Sequence, residues 1–191
     1  MEALLGILTA FGLSASAGLN AYIPLLIVGV IAHYTDWIKL NPPYDLLANP
    51  WVLIVVGILL IIEMLADKFP AVNHVNDAIQ TVIRPAAGAI VFAASANVIT
   101  DLNPVIAIIC GLLVAGSVHT VKAAVLRPAV TATTGGAANI PVSIAEDIVA
   151  TVLSILSIVL PILVVIFVVL FVILIVWWLR RRAARKRQAI S

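Results

Sequence analysis

Residues 3–35 read ALLGILTAFGLSASAGLNAYIPLLIVGVIAHYT and contain no Asp, Glu, Lys or Arg. As one helix, these 33 residues would extend about 50 Å at ~1.5 Å per residue. A bilayer's hydrocarbon core is only about 30 Å thick. The segment must therefore tilt strongly, protrude or break. Its middle, Gly12 to Asn20, is small and polar, and Pro24 follows. A break or a close helix contact is expected there, because small residues let membrane helices approach closely.

The rest of the chain has the same character. Of 191 residues, 63% are hydrophobic and 10% charged, against roughly a quarter charged in a soluble domain. Eleven bases and nine acids are too few to cover a water-soluble globule. A soluble enzyme domain, a disordered chain and a disulfide scaffold are excluded, and an integral membrane bundle remains. Cys110 is the only cysteine, so no internal disulfide and no Cys-rich metal site is expected. The start Met1-Glu2-Ala3-Leu4 lacks the basic n-region of a cleaved leader.

Further spans are expected at 51–66, 85–100 and 105–126, and across 148–179, which Pro161 divides. Residues 71–84 place Val72, Val75, Ile79 and Val82 three or four apart, the period of an amphipathic helix. Residues 129–141 hold neither charge nor a long apolar run, a composition that fits a re-entrant loop buried in protein. The fold class expected is an all-α membrane protein of about five transmembrane helices, with a broken first segment and a re-entrant loop. Residues 1–179 form a single transmembrane bundle and 180–191 a basic tail.

Six of the eleven bases lie in that tail. A basic segment after an apolar run indicates a cytoplasmic C-terminus and an affinity for anionic membrane lipid. Nucleic-acid binding is not expected, since no binding fold accompanies the tail. Five crossings then gather Glu63, Asp67, Lys68, Asp77, Arg84, Lys122, Arg127, Glu146 and Asp147 at the opposite side. Ionisable groups beside spans are costly and face a cavity or a partner. Surface ion pairs that tie helix ends together are the plainer alternative.

Within that charge cluster, Arg84-Pro85 and Arg127-Pro128 stand out. The residue before proline is pushed out of the helical region, so each Arg is expected at a helix boundary. Two guanidiniums on one side could grip a carboxylate or phosphate. The other reading is that they pair with the nearby acids. Glu63 follows a long apolar run and suits a proton-coupling role. His119, one turn from Lys122, is a second candidate for moving protons. Thr133, Thr134 and Asn139 offer hydroxyls and amides to an ion, with Asn20 facing them.

Three internal echoes accompany these residues: 81–89 with 124–132, 49–57 with 103–111, and Asn20-Ala-Tyr-Ile-Pro24 with Asn139-Ile-Pro141. Their offsets differ, so they do not form a clean duplication. No catalytic motif, phosphate loop or metal-ligand spacing is present. No enzyme activity, cofactor or metal is expected.

The run Ser14–Leu26, with Glu63-Met-Leu-Ala-Asp-Lys68 and Thr134-Gly-Gly-Ala-Ala-Asn139, resembles a family of small bacterial integral membrane proteins known only as a domain of unknown function. The likeness extends to about residue 175. It implies a bacterial inner-membrane location and supplies neither activity nor site residues. The functional expectation therefore comes from the residues: a small transporter or channel-like permease for an ion or small anionic solute, working as a homo-oligomer. The alternative is a non-transporting factor that binds lipid or a partner protein through its charged face and tail.

Overall fold

The computed structural model describes residues 2–67, 70–97 and 102–161, with positions 163, 166, 170 and 173 beyond. Lys68, the second half of the last apolar stretch and the basic tail fall outside the described residues, as does the side chain of Asp77.

Among the described residues the regular structure is helical: α1 (Glu2–Leu19), α2 (Tyr22–Tyr34), a 3₁₀ turn (Tyr44–Ala48), α3 (Pro50–Ala66), α4 (Pro70–Asn97), α5 (Pro104–Val121), α6 (Arg127–Thr134) and α7 (Asn139–Val159). Helix starts follow local chemistry. Asn49 and Asn103 each accept a backbone N–H at 2.9 Å, from Trp51 and Val105, and a proline fills the first helical position of α3 and of α5. Those are the favoured residues at the two sites. The 49–57 and 103–111 echo thus records one helix-start signal used twice.

The first segment breaks at Asn20, between α1 and α2. The amphipathic 71–84 region and the following span form one helix, α4, which continues through Pro85. At the second Arg-Pro, a π turn over Lys122–Leu126 joins α5 to α6, closed by the Arg127 N–H on the Lys122 carbonyl. The wider turn suits Pro128, which has no N–H for the ordinary ladder. Arg127 stands at a boundary, where the π turn passes into α6; Arg84 does not, because α4 runs through it. Residues 129–141 form most of α6, an exposed turn and the start of α7; Gly135 and Gly136 take the turn's positive φ.

Helix α1 is the centre of the bundle, with every residue from 12 to 18 buried. Ser14 donates to the Gly111 carbonyl of α5 at 2.9 Å, Ser16 to the Ala150 carbonyl of α7 at 2.8 Å, and Thr9 to the Ser157 carbonyl at 2.8 Å. Against α4, Gly88 leaves no room for a side chain beside Ser14 and Ala115. The small residues of the quoted stretch thus serve close contact with three neighbours, and the break comes after them.

Among the described residues, three helical stretches are long and apolar enough to cross a membrane: Ala78–Ala96, Pro104–Thr134 and Asn139–Val159. Leu4–Leu19, Tyr22–Tyr34 and Pro50–Ala66 are apolar but shorter. The distribution of side chains is inverted relative to a soluble protein. Ile61, Ile62 and Leu113 are more than half exposed, while Arg84, Lys122 and Glu63 are 0%, 1% and 2% exposed. In water, large aliphatics fill the core and charges the surface. The arrangement is compatible with a membrane-embedded protein.

Candidate functional site

The buried charges form one network. Helix α3 supplies Glu63 in its last turn and Asp67 just after it; α4 supplies Asn76, Gln80 and Arg84 at steps of four, one stripe of that helix. His119 lies in the last turn of α5, Lys122 opens the π turn, Arg127 opens α6, and Glu146 and Asp147 lie about two turns into α7.

Asp67 is the hub. Its Oδ2 lies 3.0 Å from Arg127 Nη2, 3.6 Å from Arg84 Nη2 and 3.8 Å from Lys122 Nζ. Its Oδ1 accepts from Asn76 at 2.7 Å, and Ser143 of α7 donates to Oδ2 at 3.5 Å. Burial by itself would raise the Asp67 carboxyl, but Lys122, Arg127 and Arg84 outweigh it and hold the group below the ordinary aspartate range.

Arg84 also grips Glu63. Its Nε and Nη2 both donate to Glu63 Oε1, at 3.2 and 2.9 Å. Its Nη1 lies 3.2 Å from His119 Nδ1, and His119 Nε2 lies 3.2 Å from the Thr81 hydroxyl. A guanidinium has only donors, so Nδ1 accepts and Nε2 carries the ring proton. His119 is neutral in this arrangement, with that lone pair occupied.

Lys122 joins the remaining elements. Its ammonium lies 2.8 Å from Glu146 Oε2 and donates to the Leu19 carbonyl at the end of α1 at 2.9 Å. One residue on, Asn20 donates to Asp147 Oδ1 at 2.9 Å, and its own Oδ1 accepts the N–H groups of Tyr22 and Ile23. Asn20 therefore caps α2 and anchors the break to α7. Asn20→Ala is expected to destabilise the protein by roughly 1–2 kcal/mol, the usual size of a lost cap plus a hydrogen bond. Thermal unfolding in detergent against Asn20→Asp, which keeps the cap, measures it.

The sequence-derived candidates divide. Glu63, Asp67, Arg84, His119, Lys122, Arg127 and Glu146 come together, with Asn20 and Asp147 beside them. Thr133, Thr134 and Asn139 do not join them. The two threonines are exposed and donate to the Ala129 and Val130 carbonyls of their own helix at 2.8 Å, and Asn139 pairs with Thr131. Asn20 meets Asp147 rather than Asn139. Both guanidiniums sit on carboxylates, so ion pairing takes the place of an open anion clamp. The two Arg-Pro echoes meet at Asp67. An open cleft of about 300 Å³ elsewhere, lined by Tyr44, Ala86, Ala89, Ile90, Ile108 and Leu112, is apolar and holds no charge.

Gln80 was not singled out from the sequence. It is 2% exposed and shares the stripe of Asn76 and Arg84. The signal was a polar residue four before a buried Arg and four after a buried Asn.

Fold and site together define an all-helical protein with an apolar exterior and a charged interior. The chain belongs to the family described as a domain of unknown function, DUF4126, whose family model matches residues 7–181. No curated protein and no solved structure matches it.

Proposed function

We propose that the chain is a small permease of the bacterial inner membrane that carries an ion through its charged centre, with Glu63 as the proton-coupling residue. One observation carries the reading: six ionisable side chains from five helical segments are linked in a single buried network, Glu63–Arg84–Asp67–Lys122–Glu146 with Arg127 on Asp67. Simple stability is a poor reason for such a network, because a buried ion pair is often no better than the apolar residues it displaces. Ionisable groups at membrane depth mark ion paths and proton relays. The cations favour the proton over an anionic solute as the cargo. An anion would have to displace Asp67 from both Arg84 and Arg127, or Glu63 from Arg84.

The alternative, a non-transporting factor that binds lipid or a partner through its charged face and basic tail, has less support, because the described charges of the cluster are turned inward. The same reading sets the C-terminus in the cytoplasm, on the basic tail, and makes the working form a homo-oligomer.

Proteoliposomes carrying a pH-sensitive dye test the reading. Under an imposed proton gradient, wild type is expected to dissipate it at least tenfold faster than empty vesicles, and Glu63→Gln to fall to the empty-vesicle rate while keeping its fold. Wild-type vesicles as tight as empty ones, to protons and to anions alike, overturn the permease.

A further inference from the structure

The network leaves particular atoms over. Glu63 Oε2, Gln80 Oε1 and Glu146 Oε1 are buried acceptors with no hydrogen-bond donor among the described residues. A buried acceptor without a donor has given up its hydration with nothing in return.

On the stripe of α4, Gln80 stands midway between Asn76, which bonds Asp67, and Arg84, which bonds Glu63. A step of four residues, about 6 Å along a helix axis, takes Asp67 back to Glu63 and Asn76 on to Gln80. The grip of Arg84 is also one-sided. A carboxylate facing a guanidinium ordinarily presents both oxygens to its two-pronged fork. Here Nε and Nη2 converge on Oε1 alone. That geometry fits a carboxylic acid whose carbonyl oxygen is Oε1 and whose hydroxyl oxygen is Oε2.

We infer that Glu63 is held as the neutral acid and that Gln80 is the acceptor of its proton, in an Oε2–H···Oε1 bond that makes the two residues a proton-binding site. One proton between them satisfies Glu63 Oε2 and Gln80 Oε1 together. The step is a proton transfer alone: hydronium gives its proton to Oε2 and leaves as water. The groups facing the site are Arg84 on α4, Lys122 on the π turn, Asp67 after α3 and Tyr22 on α2. His119, Arg127 and Glu146 reach it through Arg84, Asp67 and Lys122. A metal cation fits less well, since no three His, Cys, Asp or Glu side chains among the described residues are grouped to hold one. The inference rests on the permease reading in naming the ion that the centre carries.

Infrared spectroscopy of the full chain in lipid nanodiscs tests it without a flux measurement. At pH 7 wild type is expected to show the C=O stretch of a protonated carboxyl. Glu63→Gln removes that band; its amide still donates to Gln80 Oε1, so the fold is kept. Gln80→Met moves the band to higher wavenumber by removing the acceptor, and Gln80→Glu is the second variant should the methionine fail to fold. Absence of the band at pH 7, its survival in Glu63→Gln, or its loss on adding sodium or potassium chloride overturns the site. A band with no proton flux leaves the site standing and removes the permease; flux with no band does the reverse.

Discussion

Asp67→Asn is expected to destabilise the folded protein by about 3–5 kcal/mol, the size measured when one partner of a buried ion pair is removed. Asp67 is 5% exposed and one oxygen serves three cations, Arg127 at 3.0 Å, Arg84 at 3.6 Å and Lys122 at 3.8 Å. Arg84 keeps Glu63 and Lys122 keeps Glu146, but the charge they share at the hub is gone. The asparagine is the same shape, so packing is unchanged and the loss is electrostatic. Arg127→Gln costs less, because that side chain is 15% exposed and water screens its charge. Arg127→Gln added to Asp67→Asn is expected to cost less than the sum of the two, by about 0.5–3 kcal/mol of coupling.

Acid reads out the same carboxylate. Its folded-state value is depressed, so its stabilisation is complete above the ordinary aspartate value of about 3.9. It is lost as pH falls through the lower folded value. The gap in melting temperature between wild type and Asp67→Asn is expected to be flat above about pH 5 and to narrow below about pH 4. Thermal unfolding in detergent across that range measures it. A gap that stays open at the acid end, or a variant as stable as wild type at pH 7, removes Asp67 from the centre of the network.

How much of this was legible in the sequence depended on the range of the interaction. Helix starts at Asn49-Pro50 and Asn103-Pro104 are local and read directly. The break near Asn20 followed from length against membrane thickness, and that the acids and bases meet followed from the cost of isolated charge in an apolar chain. Which groups face which did not follow. Asn20 matched Asn139 by sequence echo yet bonds Asp147, because helix rotation and partner choice come from packing around α1. Pro85 read as a helix boundary, but the contacts of α4 with α1 and α5 outweigh one missing hydrogen bond. Composition alone placed 129–141 within protein; as a helix and a turn, its threonines satisfy themselves on carbonyls one turn back and need no buried partner. Gln80 read only as one polar position of the 71–84 amphipathic helix, because such a residue has no further signature until Arg84 and Asn76 fix which way its stripe faces.

Gly111→Val is expected to destabilise the bundle by at least about 3 kcal/mol, the upper end of the usual overpacking cost, and to leave little folded protein after extraction. A Cβ at Gly111 would lie 2.5 Å from the Gly88 carbonyl oxygen and 2.6 Å from Ala89 Cα. Both are backbone atoms of α4, so no side chain can turn aside to make room. Relief requires α4 and α5 to separate, and they are held together by more than this contact. Arg84 on α4 reaches His119 two turns further along α5, and Ser14 of α1, which donates to the Gly111 carbonyl, ties α1 into the same crossing. A substitution at the crossing thus pulls on the charge network as well as on the packing. Gly57 provides the opposite sign. It lies inside α3, and a Cβ there would meet nothing within 4 Å, so Gly57→Ala is expected to stabilise by about 0.5–1 kcal/mol through helix propensity. Melting temperatures of the two variants beside wild type, in one detergent, test the pair. A tolerated Gly111→Val would mean that α4 and α5 do not cross at Gly88, and with that crossing lost Arg84 would have no fixed route to His119.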